Sequence, residues 1–262
     1  MDEHQHQHEH GQDRDKDREH DRGHGRGPGR ERRAAVLFDV DGTLMDTVYL
    51  HTVAWWEALR QHGERVPMSR VHRSIGMGSD HLLDHLLGED HDHGDDSALS
   101  AAHDTLYAQY WTRLAPLEGA ADLLRACAAR GWRVVLASSA SDRELRVMRD
   151  ALGADDAIDA VTTADDVEAS KPSPDLVARA LERAAVPPDR AVFVGDAVWD
   201  AEAAGRAGVR CVGLLSGGVS REELTGAGAA EVYQGPADLL AHLDGSLLAD
   251  PGRPGPAAPA AE

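Results

Sequence analysis

Short apolar segments that alternate with helical patterns constrain the fold more than any other feature of this 262-residue chain. Five of these segments lack polar alternation, as expected of strands that are covered on both faces. They are Ala34–Phe38, Arg133–Ala137, Ile158–Thr162, Ala191–Val194 and Val209–Leu214. Helical patterns separate them, including one over residues 141–153 with a capping box of Ser141 and Glu144, and one with Pro174 at its first position after Ser173 as N-cap. The alternation predicts an α/β fold with a doubly wound parallel sheet, in which ligands bind at the carboxyl ends of the strands.

A gap of roughly 70 residues follows the first predicted strand, and a strand–helix–strand crossover needs far fewer. Three helical patterns fill the gap, over residues 47–63, 79–88 and 97–114, the second of them with Ser79 as its cap. We therefore expect a helical cap over residues 47–116, inserted into a core of residues 34–46 and 117–244. A lid over a binding site would occupy such a position.

Both ends of the chain have the composition of disordered segments. Residues 1–33 contain no aliphatic residue after Met1, so they cannot bury enough apolar surface to become ordered. They hold six of the 15 histidines, and two interpretations stay open: a solvated tail, or a segment that binds a transition metal. Residues 245–262 are rich in Pro, Gly and Ala, and we expect them to be disordered as well.

Charge and cysteine content exclude several classes of partner. The net charge is −19, and residues 1–33 contribute −1 of it (9 acids and 8 bases), which leaves −18 on residues 34–262. Such an acidic body repels nucleic acid and anionic membranes. No apolar run reaches the roughly 18 residues of a membrane span, and the 2 cysteines indicate a reduced, cytoplasmic protein. We expect a monomer or a dimer that binds a small molecule.

Four carboxylates follow two of the predicted strands. Asp39 and Asp41 come directly after the first strand in "AVLFDVDGTL", and Asp196 and Asp200 follow the fourth in "AVFVGDAVWD". Carboxylates at one strand end repel each other unless a cation joins them. If the two strands are neighbours, the four acids converge, and an all-oxygen site with few fixed ligands suits Mg²⁺.

Candidate anion-binding residues follow the second strand and precede a later helix. Ser138 and Ser139 come at a strand end before a helix start, a geometry that suits phosphate, although serines there also serve as turn or cap residues. The chain has 2 lysines against 25 arginines, and one of the two is Lys171 in "ASKPSPD". Its compact charge suits a position between a carboxylate and a phosphate.

These motifs occur in the order that is typical of one enzyme superfamily. "DVDGTL", Ser138 after an apolar strand, Lys171-Pro172 and "GDAVWD" resemble the four motifs of the haloacid dehalogenase-like (HAD) hydrolases, over residues 35 to about 215. The helical insert after the first motif resembles the branch with a C1 cap, which includes phosphoglycolate phosphatases and β-phosphoglucomutases. The second Asp argues against dehalogenation, because a halide needs no proton.

The resemblance implies a role for each motif residue. Asp39 matches the nucleophile that forms an aspartyl-phosphate, and Asp41 matches the general acid/base. The implied Mg²⁺ takes the side chain of Asp39, the backbone carbonyl of Asp41, Asp196, and Asp200 directly or through water. Ser138 and Lys171 match the phosphate-binding residues. The implied activity is a Mg²⁺-dependent phosphatase that hydrolyses a small phosphorylated metabolite.

Two alternative functions stay open. A sugar-phosphate mutase like the β-phosphoglucomutases is one, since "DTVYLHTVAWW" resembles their cap entry and His51 matches a cap histidine that phosphatases of the branch also carry. Mutases have a phosphate-binding cap arginine where this chain has Ser79, although Arg70 or Arg73 could replace it. The mutases also have an acidic dyad in the fourth motif, where this chain has Gly195-Asp196 and then Asp200. Both departures favour a phosphatase. The other alternative is a metal-binding protein that uses the His-rich tail.

Three further features have two readings each. His51 is either an ordinary helix residue or a contact for the substrate. The segment "EDHDHGDD", residues 89–96, is either a solvated loop or a set of metal ligands. Trp55 and Trp56 either pack within the cap or touch the substrate.

Overall fold

The computed structural model describes residues 34–252, and six strands within that range form one parallel sheet. The strands are β1 (Ala35–Phe38), β2 (Arg133–Ala137), β3 (Ala160–Thr162), β4 (Ala191–Gly195), β5 (Arg210–Leu214) and β6 (Ala229–Tyr233). Their order in the sheet is β3-β2-β1-β4-β5-β6. The chain therefore builds outward from β1 in one direction and then in the other, which confirms the predicted doubly wound topology and places the switch point between β1 and β4.

Strand register brings the ends of three strands together. Phe38, the last residue of β1, pairs with Leu136 in β2 and with Val194 in β4. The amide of Asp39 donates to the carbonyl of Val194 at 2.9 Å. The loops that follow β1, β2 and β4 thus leave the sheet at the same edge.

Ten helices accompany the sheet within the described residues. They are α1 (Val48–Gln61), α2 (Met68–Ser74), α3 (Ser79–Leu87), α4 (Asp96–Ala108), α5 (Ala120–Ala129), α6 (Asp142–Leu152), α7 (Asp175–Ala184), α8 (Val198–Arg206), α9 (Arg221–Gly226) and α10 (Pro236–Ala241). Alternate strand residues point to opposite faces of the sheet. Phe38 and Leu136 pack with α5, α6 and α10, whereas Leu37 and Phe193 pack with α7 and α8.

Helices α1 to α4, which we call the cap helices, enclose a hydrophobic cluster separate from the two clusters on the sheet faces. Its buried members include Trp55, Leu59, Val71, Leu82 and Leu99. Helix α2 was not predicted from the sequence. It makes two of the polar contacts between the cap and the core loops, because Arg73 pairs with Glu223 at 2.6 Å and His72 Nε2 contacts the carbonyl of Gly217 at 2.9 Å.

The prediction of a disordered C-terminal segment is wrong for residues 245–252. Leu248 is fully buried, and its carbonyl accepts a hydrogen bond from Trp132 Nε1 at 3.0 Å. Arg190 Nη2 donates to the carbonyl of Pro251 at 2.6 Å. Two leucines in a Pro/Gly-rich sequence are thus enough to dock this segment on the core. Residues 253–262 and the predicted tail 1–33, with its histidines, lie outside the described residues.

Several predicted element boundaries also shift. Strand β6 was not predicted, because Glu231 interrupts its short apolar pattern. Helix α7 begins at Asp175 with Pro174 as its N-cap residue, and Ser173 hydrogen-bonds to the Asp175 carboxylate instead of capping the helix. In the cap, Gly78 takes the N-cap position that was predicted for Ser79. Across residues 34–252, each helix is too short or too polar to cross a bilayer.

Candidate active site

The predicted site residues converge at the carboxyl edge of the sheet, around the switch point. Asp39 follows β1, Asp196 follows β4, and Asp200 lies in the first turn of α8. Lys171 reaches the same point from the loop before α7. The carboxylates of Asp39, Asp196 and Asp200 are buried, and one oxygen of each lies within 4.8 Å of the others.

Lys171 is fully buried and joins two of these carboxylates. Its Nζ donates to Asp39 Oδ1, and to Asp200 Oδ1 at 2.8 Å. Burial alone would lower the pKa of Lys171, but the adjacent Asp200 and Asp39 outweigh it and raise the pKa. The other oxygen of Asp200 accepts the amides of Asp196 and Ala197 at 3.1 and 3.0 Å. Asp200 therefore fixes Lys171 to the beginning of α8.

Excess negative charge at this point indicates a cation site. Three carboxylates and one ammonium give the group a formal charge of −2. Burial and the neighbouring Asp200 and Asp39 raise the pKa of Asp196 well above its usual range. Burial raises the pKa of Asp39 to about 7, although Lys171 opposes this shift. A divalent cation would neutralise the group, and its oxygen donors fit Mg²⁺.

The Asp196 side chain is held in a tight position. Thr43 Oγ1 donates to Asp196 Oδ1 at 2.6 Å. The carboxylate lies against Gly42 and Gly217, and a Cβ at either position would overlap it. Gly42 also has a φ of 78°, which glycine adopts without strain. The "DGT" of the first motif thus orients an acid that lies 153 residues further along the chain.

The side chain of Asp41 turns away from the three carboxylates and towards the cap. Thr47 Oγ1 donates to Asp41 Oδ1 at 2.6 Å, and His51 Nε2 lies 3.1 Å from the same oxygen. Burial alone would raise the pKa of Asp41, but His51 and Thr47 outweigh it and lower the pKa. Of the four predicted acids, the structure gathers three and gives Asp41 different partners. Its carboxylate therefore faces the cap and not the group of three carboxylates.

His51 belongs to a row of stacked rings in the cap. Its Nδ1 lies 3.1 Å from His103 Nε2, and His103 Nδ1 lies 3.0 Å from Asp104 Oδ1. Trp55 stacks on His103 at 4.3 Å, and Tyr107 stacks on His51 at 3.8 Å between ring centroids. Burial alone would lower the pKa of His51, but Asp41 outweighs it and raises the pKa, whereas burial lowers the pKa of His103 to about 4. A charged His51 can thus donate to Asp41 and to a neutral His103.

A cavity of about 250 Å³ lies between the cap helices and the core, and Asp39, Asp41 and Lys171 form its floor. Of the three candidate cap contacts, His51 and Trp55 line the cavity. Trp56 instead packs with the cap cluster and lies under Arg60. Residues that line the other walls include Ser79, Ser100, His103, Asp104, Ser139, Ser141, Glu144 and Asp165.

Ser138 follows β2 at the same edge of the sheet and is fully buried. Its hydroxyl accepts the amide of Ala140 at 3.1 Å, and its own amide donates to the carbonyl of Thr162. Among the described residues, Ser139, Ala140 and Ser141 line the cavity in this loop. The Ser138 hydroxyl thus stabilises the loop that turns towards the site.

The sequence analysis missed Glu144 as a site residue. Only half of the predicted capping box forms: the amide of Glu144 donates to Ser141 Oγ at 3.4 Å. The Glu144 carboxyl lines the cavity instead, with Oε1 3.3 Å from His51 Nε2 and no hydrogen-bond partner within residues 34–252. Burial raises the pKa of Glu144 to about 7 against the opposing effect of His51. No sequence pattern distinguishes this orientation from an ordinary cap.

A second group of possible metal ligands lies in the cap, at the predicted segment 89–96. Asp84, His91 and His93 each offer an atom within 4.8 Å of the others. Asp96 already holds both histidines, at 2.7 Å from His91 Nε2 and 2.9 Å from His93 Nδ1. These contacts explain the local fold of the loop.

Comparison with known proteins agrees with this geometry. The model of the haloacid dehalogenase-like hydrolase family matches residues 34–208. The chain belongs to this family. The match spans the residues from β1 to the end of α8, so it includes the whole carboxylate group and Lys171.

Several proteins resemble this hydrolase in sequence or in structure. A phosphoglycolate phosphatase from Rhodospirillum rubrum is 33% identical over 218 residues, which cover 78% of this chain and 88% of the relative. CbbY from Cereibacter sphaeroides is 32% identical over 208 residues, covering 74% and 89%. A hydrolase from Pseudomonas syringae superposes with a TM-score of 0.77 at 37% identity, covering 81% of this chain and 99% of the other. The site and these relatives together identify a phosphatase of the HAD-like family that acts on phosphoric monoesters.

Proposed function

We propose that the protein is a Mg²⁺-dependent phosphatase that hydrolyses a small phosphate monoester through an aspartyl-phosphate on Asp39. The observation that carries the proposal is the difference between the surroundings of the two acids of the first motif. Asp39 is held by Lys171 beside two further buried carboxylates, whereas Asp41 faces the cap and a histidine. These different surroundings support attack by Asp39 and proton transfer by Asp41.

In the first step, Asp39 attacks phosphorus, and the bond from phosphorus to the ester oxygen breaks. Lys171 binds Asp39 Oδ1, which leaves Oδ2 for the attack. Asp39 and Asp196, the backbone carbonyl of Asp41 and, directly or through water, Asp200 would hold Mg²⁺, which neutralises charge on the transferred phosphoryl group. Lys171, with Ser138 as a second contact, binds the phosphate. The place of Ser138 after β2, at the edge of Asp39, supports this role.

Asp41 moves the protons of both steps. It gives a proton to the leaving oxygen, and it then takes a proton from the water that attacks the aspartyl-phosphate and releases inorganic phosphate. The negative charge of a bound phosphate raises the pKa of Asp41 and favours proton transfer from His51, which lies 3.1 Å away. His51 therefore has a role in the reaction beyond its place in helix α1.

The cavity favours a phosphatase over a mutase. A mutase must hold a second phosphate, preferably with the forked donors of an arginine. Ser79 lines the cavity, while Arg70 donates to the carbonyls of His85 and Leu86, and Arg73 pairs with Glu223. Neither arginine reaches the cavity. We expect continuous release of phosphate with no need for a bisphosphate activator.

Two coarser features of the chain complete the proposal. The separate hydrophobic cluster of the cap helices supports a division into a cap of residues 47–116 and a core of residues 34–46 and 117–244, to which the docked residues 245–252 are added. Cys127 and Cys211 are both unpaired and buried, which supports a reducing, cytoplasmic location.

Replacement of the nucleophile tests the function. Asp39→Asn should lower the rate of phosphate release by about 10⁴-fold or more, because an amide does not attack phosphorus. The control is Asp150→Asn, an exposed acid on α6, which should behave like the wild type. Phosphate release is measured colorimetrically with a panel of phosphorylated metabolites, and circular dichroism checks the fold. More than a few per cent of residual activity in Asp39→Asn would contradict covalent catalysis by this residue.

A further inference from the structure

We propose that Glu144, with Asp104 and His103, forms a subsite for the leaving group that selects a neutral or cationic alcohol and rejects one that carries a carboxylate or a second phosphate. This inference rests on the proposed function, since it concerns the alcohol from which the phosphate is removed. The class of substrate that fits is the phosphate ester of a small polyhydroxylated or amine-bearing compound.

The first argument is the charge on the cavity walls. Apart from the reacting Asp39 and Asp41, three acids line the cavity: Asp104, Glu144 and Asp165. Lys171 is fully buried between two carboxylates and is committed to the reacting phosphate. No arginine is among the described residues that line the cavity. The other cation among the described lining residues is His51, and its Nε2 already faces Asp41 at 3.1 Å and Glu144 at 3.3 Å. An anionic leaving group would thus face like charge without a free cation to pair with.

The second argument is the unused acceptor of Glu144. The residue is 8% exposed, and its Oε1 accepts no hydrogen bond among residues 34–252. His51 Nε2 lies 3.3 Å from this oxygen, but its proton is directed to Asp41 Oδ1 at 3.1 Å. A buried carboxylate oxygen needs a donor, and a hydroxyl or an ammonium group supplies one. A carboxylate or phosphate would bring only further acceptors. The position of Glu144 in the first turn of α6, beside the loop after β2, places this acceptor on the core side of the cavity.

The remaining walls suit a small polar compound. Ser100 lines the cavity from the cap, and Ser139 and Ser141 line it from the core. These hydroxyls can both donate and accept, so they match several substrate hydroxyls at once. Trp55 and Leu82 add an apolar surface against which carbon atoms can pack. A volume of about 250 Å³ limits the substrate to a small ester.

This selectivity separates the chain from some of its named relatives. The relative from Rhodospirillum rubrum is named for phosphoglycolate, whose alcohol carries a carboxylate. A site for that alcohol would need a cation opposite the carboxylate, and here Glu144 and Asp104 line the cavity instead. The identity of 33% between the two chains leaves room for such a change.

Three esters of matched size test the proposal with the wild-type protein in Mg²⁺. They are O-phosphoethanolamine, 2-hydroxyethyl phosphate and 2-phosphoglycolate, which share two carbon atoms and differ in the charge of the leaving group. We expect kcat/KM for each of the first two to exceed that for 2-phosphoglycolate by about 10-fold or more, because like charges across a contact are strongly unfavourable. Equal or faster hydrolysis of 2-phosphoglycolate would overturn the subsite while leaving the phosphatase function intact.

A conservative variant assigns the selectivity to one residue. Glu144→Gln keeps the shape of the side chain and replaces one acceptor with a donor, so the ratio of kcat/KM for O-phosphoethanolamine to that for 2-phosphoglycolate should fall by about 10-fold. The matched control is Glu64→Gln, an exposed residue after α1, for which the ratio should stay at the wild-type value. An unchanged ratio in Glu144→Gln would show that this residue does not set the selectivity.

A binding measurement keeps the two proposals separate. Calorimetric titration of the Asp39→Asn protein with the same three esters should give the weakest binding for 2-phosphoglycolate. If the wild type hydrolyses none of these esters and none of the panel of phosphorylated metabolites, the proposed function fails. The order of the three dissociation constants still decides whether the subsite exists. Tightest binding of 2-phosphoglycolate would overturn it.

Discussion

Two regions enclose the same cavity but are built differently. The core edge is the end of the sheet with Asp39, Lys171, Asp196 and Asp200, and the wall is the side with His103, Asp104 and Glu144. At the core edge, Lys171 and Asp200 are at most 1% exposed, and each is held by two or more contacts. On the wall, Asp104 has a side chain that is 72% exposed, and Glu144 has an oxygen without a hydrogen-bond partner among the described residues. Lys171 and Asp200 find their hydrogen-bond partners within the core edge, whereas the wall keeps unused hydrogen-bonding capacity.

The difference shows where chemistry and selectivity reside in this molecule. A buried group of paired charges is rigid, since moving one member would leave another charge without its partner. Such rigidity suits the fixed geometry of phosphoryl transfer. The wall has acceptors that only a ligand can satisfy, so it can distinguish one alcohol from another. Asp41 joins the two regions, because it follows β1 and contacts His51 in the cap.

Removal of the metal should have the largest effect, and it acts on the core edge. Excess EDTA should abolish phosphate release, because the group of three carboxylates and Lys171 then keeps its formal charge of −2 next to an incoming anion. Added Mg²⁺ should restore turnover, and Ca²⁺ should restore little, since it prefers longer and looser coordination. The same titration on a variant without residues 1–33 controls for metal bound by the histidines of the tail. Full activity in excess chelator would exclude the metal from the reaction.

Substitution of the residue that joins the two regions should have the next largest effect. Asp41→Asn should lower kcat by about 10²–10⁴-fold, because an amide neither donates the proton to the leaving oxygen nor accepts one from water. The small amount of aspartyl-phosphate that forms should persist, and intact-protein mass spectrometry can detect it. Asp46→Asn, an exposed acid five residues away, is the matched control. Wild-type kcat in Asp41→Asn would remove this residue from proton transfer.

The smallest effect concerns the stability of the wall and its dependence on pH. Burial lowers the pKa of His103 from 6.5 to about 4. As the pH falls, the unfolded chain therefore binds a proton at this residue at a higher pH than the folded protein does. The stability that neutral His103 contributes is therefore present above pH 6.5 and is lost as the pH falls towards 4. The cost of His103→Asn in the free energy of unfolding should thus shrink over this window, by on the order of 3 kcal/mol.

Urea unfolding at several pH values between 7.5 and 4 measures this change. His62→Asn, which alters an exposed histidine at the end of α1, serves as the control. His51 contacts His103 at 3.1 Å and also titrates, so the wild type itself changes stability with pH. The cost of each variant is therefore its difference from the wild type at the same pH, and these costs are then followed from pH 7.5 to 4. A cost of His103→Asn that stays constant from pH 7.5 to 4 would mean that His103 is not held neutral by burial.

The core edge is the part of the molecule that the sequence could predict. Each of its acids directly follows an apolar segment or opens the next helix, and the ends of parallel strands meet at one edge, so Asp39, Asp196 and Asp200 had to converge once β1 and β4 were neighbours. The rarity of lysine singled out Lys171. Thr43 and Thr47 stand within the same motif, and their contacts could have been anticipated from it.

Tertiary structure alone decided the wall and the docking of residues 245–252. Ser141 and Glu144 have the spacing of a capping box, yet the Glu144 carboxyl turns to the cavity because the cap helices place His51 opposite it. Leu248 stands in a segment with the composition of a disordered tail, yet it docks because the core offers Trp132 as a hydrogen-bond donor and an apolar surface. Local patterns fix which residues end a strand or begin a helix. Which side chains then meet across a cavity depends on packing between segments that are distant in the chain, and no local pattern contains that information.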